Sequence, residues 1–292
     1  MLNLRDPASV CQAFRAGAAA CRGADCRRGS IDVIHAPGRL IATGDLHDNP
    51  AHFERLLDVS GLREGAPEGE RRHLVLHEII HPDRLVHGMD LSFRALARVA
   101  DLKARHPGLV HVLLGNHELA QCTNAAIVKD GVRNVDAFKA GLEYAFGEQW
   151  LEVEAAAHEF VRAMPLALRC VTPRGDILCA HSLPPAAMMS RFDPSILSRD
   201  LTEADFEPRR GSAYLMVWGR GYDAELMEDL VERWGVNLFI LGHEKVEEGA
   251  RFIPPCAVVL NSDHARGKYL PIDLSDPPRG ERAVEMAQAL AT

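Results

Sequence analysis

Short apolar runs alternate with amphipathic stretches through the first half of the chain. The runs cover residues 40–43, 73–76 and 110–114, and each is followed by glycine or a polar residue. Runs of this length and composition predict buried β-strands. Apolar side chains recur at three- and four-residue steps in residues 50–60 and 90–105, which predicts a helix after each of the first two strands. This alternation of strand and helix predicts an α/β fold.

Polar side chains gather at the carboxyl end of each predicted strand. They are Asp45, His47 and Asp48 after the first strand, His77, Glu78 and His81 after the second, and Asn116, His117 and Glu118 after the third. Open α/β sheets bind ligands at the carboxyl ends of their strands, so we expect the three clusters to lie close together. Residues two apart in an extended loop point the same way, which places Asp45 and His47 to bind one metal ion.

Other segments complete the organisation of the chain. Residues 7–24 open with Pro7 and are rich in alanine, which predicts a helix that ends near Gly23. Residues 135–163 carry apolar side chains at helical spacing and predict a helical cap over the site, whereas residues 183–216 form a looser insertion. His181 and His243 each follow an apolar run, and they extend the pattern of polar side chains at strand ends.

Composition limits the classes of function. The chain has 292 residues, of which 47% are hydrophobic and 25% charged, as in a soluble globular protein. Its formal net charge of -8 argues against extended binding to nucleic acid, and no apolar run has the length of a membrane span. The amino terminus lacks the pattern of a signal peptide. We therefore expect a cytoplasmic protein that binds neither nucleic acid nor membrane, and its oligomeric state stays open.

The seven cysteines are scattered, without the spacing of a zinc ribbon or of a secreted disulfide framework. Such cysteines are expected to be reduced thiols. Cys11, Cys21 and Cys26 are interpreted as small apolar residues and not as metal ligands.

The strand-end residues together resemble the metal-binding motifs of the calcineurin-like metallophosphoesterases. The matching residues are Asp45-x-His47, Gly115-Asn116-His117-Glu118, Ala180-His181-Ser182 and Gly242-His243. The resemblance runs from about residue 39 to residue 274 and favours the phosphoprotein phosphatase branch and its bacterial relatives. It implies a four-layer α/β/β/α sandwich of two mixed sheets. We expect one domain over residues 1–292, in which residues 1–30 form a helical extension and residues 135–163 and 183–216 are insertions.

The same resemblance implies a centre of two divalent metal ions. It assigns Asp45 and His47 to the first ion, and Asn116, His181 and His243 to the second. Manganese is expected, with iron or zinc as alternatives, because imidazole and oxygen ligands suit these metals. A water held by the two ions is expected to attack the phosphorus atom.

His117 does not match a metal ligand of the family. The resemblance implies that it donates a proton to the leaving alcohol, which suits an imidazole that titrates near neutral pH. Arg220 lies in a segment that resembles the Trp-x-Arg segment of bacterial members, and it is expected to bind the phosphate group. Arg84 is the second candidate for that role.

The loop after the second strand departs from the family pattern. The family has Gly-Asp-x-x-Asp-Arg-Gly, and Glu78 of this chain stands where the first Asp bridges the two ions. Asp83, or His81 by position, is expected to replace the second Asp, which orients the proton donor His117. His77 stands in place of the glycine. His77 and His81 are interpreted as residues beside the ligands or in the loop, and a role as new metal ligands is the alternative.

The resemblance implies that the chain is an enzyme that hydrolyses a phosphate monoester, on a protein side chain or on a small phosphorylated molecule. A dinucleoside polyphosphate is the alternative substrate, because bacterial relatives hydrolyse such anhydrides. A non-catalytic metal-binding relative is the alternative of another class. The expected partner is thus a phosphorylated substrate.

Overall fold

Two mixed β-sheets lie face to face between layers of helices. The structure, a computed structural model, describes residues 2–125, 127–129 and 131–291. The strands are β1 Arg27–Arg28, β2 Ile31–His35, β3 Arg39–Thr43, β4 His73–His77, β5 Val110–Leu113, β6 Val128–Lys129, β7 Val132–Arg133, β8 Ala167–Val171, β9 Asp176–Ala180, β10 Val236–Leu241, β11 Ala250–Ile253, β12 Ala257–Leu260, β13 Lys268–Asp273 and β14 Gln288–Ala289. The α-helices are α1 Pro7–Gly23, α2 Pro50–Ser60, α3 Phe93–Arg105, α4 Asn116–Thr123, α5 Asn134–Phe146, α6 Trp150–Ala163, α7 Ser212–Trp218, α8 Ala224–Trp234 and α9 Arg282–Glu285.

The order of strands brings the predicted site strands side by side. The smaller sheet has the order β14-β13-β3-β4-β5, in which β3, β4 and β5 are parallel. The larger sheet has the order β1-β2-β8-β9-β10-β12-β11, in which β9, β10 and β12 are parallel. Antiparallel pairs at other positions make both sheets mixed. In each sheet, three neighbouring parallel strands therefore have their carboxyl ends on the same side.

The two faces of each sheet are apolar because both are covered. In β3, the side chains of Leu40 and Ala42 enter the core between the sheets, where they join Ile240 and Leu260 of the larger sheet. Ile41 points the other way, into the core under the helices. This alternation follows from the two-residue period of a strand. The structure confirms the predicted four-layer α/β/β/α sandwich.

Local signals explain where the helices begin and end. Asp6 caps α1 by accepting hydrogen bonds from two backbone N–H groups of its first turn. Asn49 caps α2 in the same way, Pro50 opens the helix, and Gly61 ends it in the left-handed conformation. The helices predicted over residues 7–24 and 50–60 are therefore confirmed. None of the described helices is long and apolar enough to cross a membrane.

The segments predicted as insertions have the expected local structure. Residues 135–163 form α5 and α6, and the stretch before α7 contains short 3₁₀-helices at Ala186–Met188, Pro194–Ser198 and Glu203–Phe206. Helix α6 packs on α1, where Phe14 and Phe160 stack with ring centroids 6.2 Å apart. Helix α5 reaches the border of the candidate site, because the ring of Phe138 lies 5.7 Å from that of His81. A cap over the site stays a prediction, and α5 is the helix that borders it.

Candidate metal centre

The site lies where the carboxyl ends of the two sheets meet. The backbone of Asp45, just after β3, forms isolated parallel bridges with His77 of the smaller sheet and with Asn261 at the end of β12. The Asp45 carbonyl also accepts a hydrogen bond of 3.1 Å from the Ser262 N–H. The predicted gathering of strand-end clusters is thus present, and it joins both sheets.

Hydrogen bonds fix the loop that carries Glu78. Its carbonyl accepts from the N–H of His47 at 2.9 Å, which ties the second loop to the first. From the first turn of α4, Glu118 Oε1 accepts from the N–H groups of Ile79 and Ile80 at 2.6 and 3.2 Å. The acid of the Asn-His-Glu motif therefore holds the position of the neighbouring loop.

The backbone of this site is strained. The φ angles of His47, Glu78, His81 and His243 are +43°, +50°, +63° and +67°. Residues other than glycine rarely adopt this left-handed conformation, which costs on the order of 1–3 kcal/mol each and is found mostly at functional sites. These four are among the eight described non-glycine residues with a positive φ, and each was predicted to bind metal or to lie beside it.

Three possible ligand atoms converge on Nε2 of His181, whose side chain is fully buried, so that four such atoms lie together. Its Nε2 lies 2.8 Å from Asn116 Oδ1, 3.1 Å from His243 Nδ1 and 3.1 Å from Glu78 Oε2. These residues are the predicted ligands of the second ion together with the predicted bridging carboxylate. A single ring proton can satisfy only one of these contacts, so lone pairs face one another unless a cation lies among them.

The other oxygen of Glu78 faces a different group. Its Oε1 lies 3.4 Å from His117 Nε2 and 3.7 Å from His47 Nε2, and the three residues offer ligand atoms within 4.8 Å of one another. The predicted pair of Asp45 and His47 is divided between two groups, because Asp45 shares its 4.8 Å group with His77 and His181. Glu78 thus presents one oxygen to each side of the site.

Charge and burial favour cations here. Burial, together with the neighbouring carboxylates of Asp45 and Glu118, raises the pKa of Glu78 well above its usual value. Burial also raises the pKa of Asp45, although His77 and His47 act against it. The buried carboxylates of Asp45 and Glu78 contact imidazole rings, which do not supply a full positive charge. Metal ions would supply the positive charge that compensates them.

The imidazoles are kept in the state that binds metal. Burial, with the nearby rings of His243 and His77, lowers the pKa of His181 well below its usual value. Burial and the charge of Arg220 lower the pKa of His243 to about 3. Neutral imidazole is the ligand form, and buried imidazole with carboxylate and amide oxygen suits Mn, Fe or Zn. The residues present therefore fit a divalent metal centre.

His117 lies between a predicted metal group and a buried dyad. Its ring centroid lies 5.2 Å from that of His47 and 5.3 Å from that of His81. On the far side, His81 Nδ1 lies 2.6 Å from Asp90 Oδ2, and both side chains are buried. Asp83 is exposed on the loop that follows His81. Of the two residues predicted to orient His117, His81 is the one whose ring lies against it.

Arg220 reaches the rim of the site. Its Nη1 donates a hydrogen bond of 3.0 Å to the backbone carbonyl of His243, and the residue is exposed. Its charge helps to lower the pKa of His243 and opposes the rise in the pKa of Glu78, so a cationic group lies near both. The alternative phosphate binder, Arg84, is exposed on the loop after His81.

Two glycines are required by close packing inside the site. A Cβ on Gly242 would lie 2.2 Å from His77 Cε1 and 2.4 Å from Asp45 Oδ1. A Cβ on Gly115 would lie 2.5 Å from carboxylate oxygens of both Glu78 and Glu118. The glycines in Gly-Asn-His-Glu and Gly-His therefore make room for ligand side chains, and not only for turns.

A second cluster with metal-like spacing has another explanation. Cys26, Asp32 and His111 offer ligand atoms within 4.8 Å of one another. However, Asp32 is paired with Arg27 at 2.9 Å, and burial raises the pKa of Cys26 to about 11. A protonated thiol beside a neutralised carboxylate is a poor metal ligand. Asp32 Oδ2 instead contacts His111 Nδ1 at 2.7 Å, which links the two sheets.

Several features of the site were not predicted from the sequence. The sequence predicted no helix directly after the third strand, whereas α4 begins at Asn116 with Gly115 as its cap. Asp90 carries no motif signal and was not predicted as part of the site, although its side chain is buried. His77 was noted, yet its contact with His181 could not be inferred, because 104 residues separate the two.

The comparisons with known proteins identify the family and the fold. A family model described as calcineurin-like phosphoesterase matches residues 38–247, which is most of the chain. A solved protein serine/threonine phosphatase from Saccharomyces cerevisiae, with similarity to human phosphatase PP5, superposes with a TM-score of 0.65 at 16% identity, over 92% of this chain and 83% of that chain.

A cold-active protein-tyrosine phosphatase of a psychrophilic Shewanella species superposes with a TM-score of 0.59 at 15% identity, over 88% of this chain and 82% of that chain. At these identities the two solved structures establish the shared fold. No curated protein matches the sequence. The match of the family model over most of the chain shows that this protein belongs to the calcineurin-like phosphoesterases.

Proposed function

We propose that the protein hydrolyses phosphate monoesters with the help of two divalent metal ions. Manganese is the metal we favour, with iron and zinc as alternatives, because the donor set mixes imidazole nitrogen with carboxylate and amide oxygen. The observation that carries the proposal is the position of Glu78, whose Oε2 lies 3.1 Å from His181 and whose Oε1 lies 3.4 Å from His117. This placement suits a carboxylate shared by two ions.

The proposed ligands follow the two sides of Glu78. Asn116, His181 and His243 would hold one ion together with Glu78, and His47 would hold the other, also together with Glu78. Asp45 lies next to both groups. When bound, the ions supply Lewis acidity at the phosphoryl oxygens and lower the pKa of the attacking water.

The remaining residues handle the proton and the phosphate. As the P–O bond to the leaving group breaks, the departing oxygen takes a proton from the His117 ring, which then regains one from solvent. The guanidinium of Arg220 donates hydrogen bonds to the phosphoryl oxygens. His81, held by Asp90, orients His117 from behind, and exposed Asp83 is the alternative for that role.

Phosphorylated protein side chains are the substrates we favour. The two solved structures that share the fold are a serine/threonine phosphatase and a protein-tyrosine phosphatase, both of which act on phosphoproteins by their titles. A small phosphorylated molecule remains an alternative, because the metal-binding residues recognise the phosphoryl group and not what carries it.

The test combines metal content with turnover. Protein stripped of metal and reconstituted with manganese is assayed for bound metal and for hydrolysis of p-nitrophenyl phosphate, a phosphoserine peptide and a dinucleoside tetraphosphate. We expect two ions per chain, turnover of the monoesters, and loss of turnover in His117→Asn with both ions retained. Turnover of the tetraphosphate alone would identify an anhydride hydrolase, and two bound ions without turnover would identify a non-catalytic relative. Failure to bind any metal would overturn the proposal.

A further inference from the structure

The ring of His77 is enclosed by groups of known polarity. It is 2% exposed, and its Nε2 lies 2.8 Å from the carbonyl oxygen of Thr43. A carbonyl oxygen only accepts, so Nε2 carries the proton and donates it. In the neutral ring, Nδ1 then has no proton and presents a lone pair.

That lone pair meets the ring of His181. The two Nδ1 atoms of His77 and His181 lie 3.0 Å apart, which is hydrogen-bond distance. Because His77 Nδ1 has no proton, the contact is satisfied when His181 Nδ1 donates. His181 then has an unprotonated Nε2, which faces the oxygen atoms of Asn116 and Glu78 at 2.8 and 3.1 Å.

A different arrangement would make His77 itself a metal ligand. In that case an ion would sit among His77, His181 and Asp45, with His181 bound through Nδ1. The spacing is looser there, because Asp45 Oδ1 lies 3.6 Å from His77 and 3.5 Å from His181. It would also remove His181 from the tighter group, in which four donor atoms converge. We therefore favour binding of metal by His181 through Nε2, in the group with Asn116, His243 and Glu78.

The absence of a side chain at residue 242 leaves space for the ring of His77. Gly242 precedes the ligand His243, and a Cβ at this glycine would lie 2.2 Å from His77 Cε1. The rings of His77 and His181 cross at 80° with centroids 5.3 Å apart, so the edge of one ring meets the other. Backbone on one side and His181 on the other thus hold His77 in one orientation.

We propose that His77 is a positioning residue, which accepts a hydrogen bond from His181 Nδ1 and so holds His181 in the tautomer whose Nε2 binds metal. The chain of contacts runs from the Thr43 carbonyl through His77 to His181 and ends at the metal group. Partners of this kind orient an imidazole ligand and increase its basicity. The inference rests on the proposed function only in that the His181 group binds a metal ion.

The direct test reads the tautomers. Protein with ¹⁵N-labelled histidine is loaded with zinc, and long-range ¹H–¹⁵N correlation spectra are assigned for His77 and His181. We expect His77 to carry its proton on Nε2 with Nδ1 free of metal, and His181 to carry its proton on Nδ1 with Nε2 bound to zinc. A zinc-bound Nδ1 at His77 would overturn the positioning role.

Metal affinity gives an independent test. We expect His77→Ala to weaken the binding of one of the two ions by roughly tenfold to a hundredfold. His77→Asn keeps an acceptor oxygen near the position of Nδ1 and is expected to recover part of the loss. His35→Ala, at an exposed position at the end of β2, is the control. Unchanged affinity for both ions in His77→Ala would overturn the proposal.

A double variant identifies the affected ion. Asn116→Ala removes a ligand of the His181 group, so adding His77→Ala in that background is expected to cost little more, because both act on the same ion. Additive losses would place His77 at the other ion and contradict the inference. If the wild type binds no metal, the proposed function itself fails. If the wild type binds both ions and His77→Ala binds them with unchanged affinity, only the role of His77 is contradicted.

Discussion

His81 donates from Nδ1 to Oδ2 of Asp90 across 2.6 Å, and neither side chain is exposed to solvent. A carboxylate that binds one ring nitrogen fixes both the orientation and the tautomer of an imidazole. The His81 ring also lies 5.3 Å from the ring of His117, measured between centroids. In the proposed mechanism this dyad would replace the single carboxylate that orients the proton donor in the family.

Asp90→Asn is expected to slow hydrolysis most for substrates with poor leaving groups. We expect a drop of up to roughly a hundredfold for an alkyl phosphate and a smaller drop for p-nitrophenyl phosphate, whose leaving group needs little help from a proton. Steady-state rates with both substrates and measured metal content test this. Asp83→Asn is the comparison variant, and a larger loss in it than in Asp90→Asn would assign the orienting role to Asp83.

Glu78→Gln is expected to reduce the bound metal from two ions to one. The amide keeps the size of the side chain, but it removes the negative charge and one of the two oxygen donors that face the metal groups. Metal analysis after dialysis checks this outcome. Glu78→Asp retains the charge with a shorter reach and serves as the matched variant. Two tightly bound ions in Glu78→Gln would show that Glu78 is not shared.

Gly242→Ala is expected to abolish metal binding or to lower the stability of the folded protein. The added Cβ would overlap His77 and the carboxylate of Asp45, and such overpacking typically costs about 1–3 kcal/mol. Gly108→Ala is the control, because its Cβ would meet no atom within 4 Å. Thermal unfolding and metal titration of both variants are compared. Equal behaviour of the two would contradict the close packing at Gly242.

Arg220→Ala is expected to weaken the use of substrate without removing metal. The loss of a charge-assisted contact to phosphate is worth about 1.5–3 kcal/mol, or roughly tenfold to a hundredfold in kcat/KM. Arg233→Ala, which removes an exposed arginine of α8 paired with Asp229, is the control. A drop in bound metal in Arg220→Ala would indicate a structural role through the His243 carbonyl.

Acid is expected to destabilise the folded protein through His158. Burial, with the charges of Arg162 and Lys139, lowers the pKa of His158 to about 4. In the unfolded chain the pKa is about 6.5, so between these values the unfolded state binds more protons, and the free energy of unfolding falls as the pH falls. The slope from one such group is at most about 1.4 kcal/mol per pH unit.

The matching experiment measures unfolding by denaturant between pH 4 and 6.5, a window set by that pKa. His158→Gln is expected to flatten the dependence on pH, while His35→Gln, at an exposed position, is the control. Part of the slope is expected to persist, because burial also lowers the pKa of His73 to about 4. An unchanged slope in His158→Gln would contradict the prediction.

The sequence predicted the strands, the order of the clusters and the family, because those depend on local patterns. Apolar runs and the helical spacing of residues 50–60 act within a few residues, and the strands and the helix α2 that they predicted are confirmed. The beginning of α4 was missed because Asn116 and His117 are also common in loops. Helix geometry there lets two successive residues serve different sides of the site.

Contacts between distant segments were beyond prediction from sequence. Whether Asp45 would group with His47 or with His77 depends on how two sheets approach each other, and no periodicity encodes that distance. The dyad of His81 and Asp90 has the same origin, since a loop of eight residues between them turns back on itself. Whether a polar residue contributes to the site depends on its burial, and burial is determined by the packing of the whole fold.

The bridges from Asp45 to both sheets have a mechanical consequence. Asp45 connects the carboxyl end of β4 to the carboxyl end of β12. Its carboxylate also accepts a hydrogen bond of 2.8 Å from the His243 N–H. An ion held at this seam would bind the folded state and not the unfolded one, so it would clamp the two sheets together. Amide exchange along this edge is therefore expected to slow on metal loading, before any substrate is present.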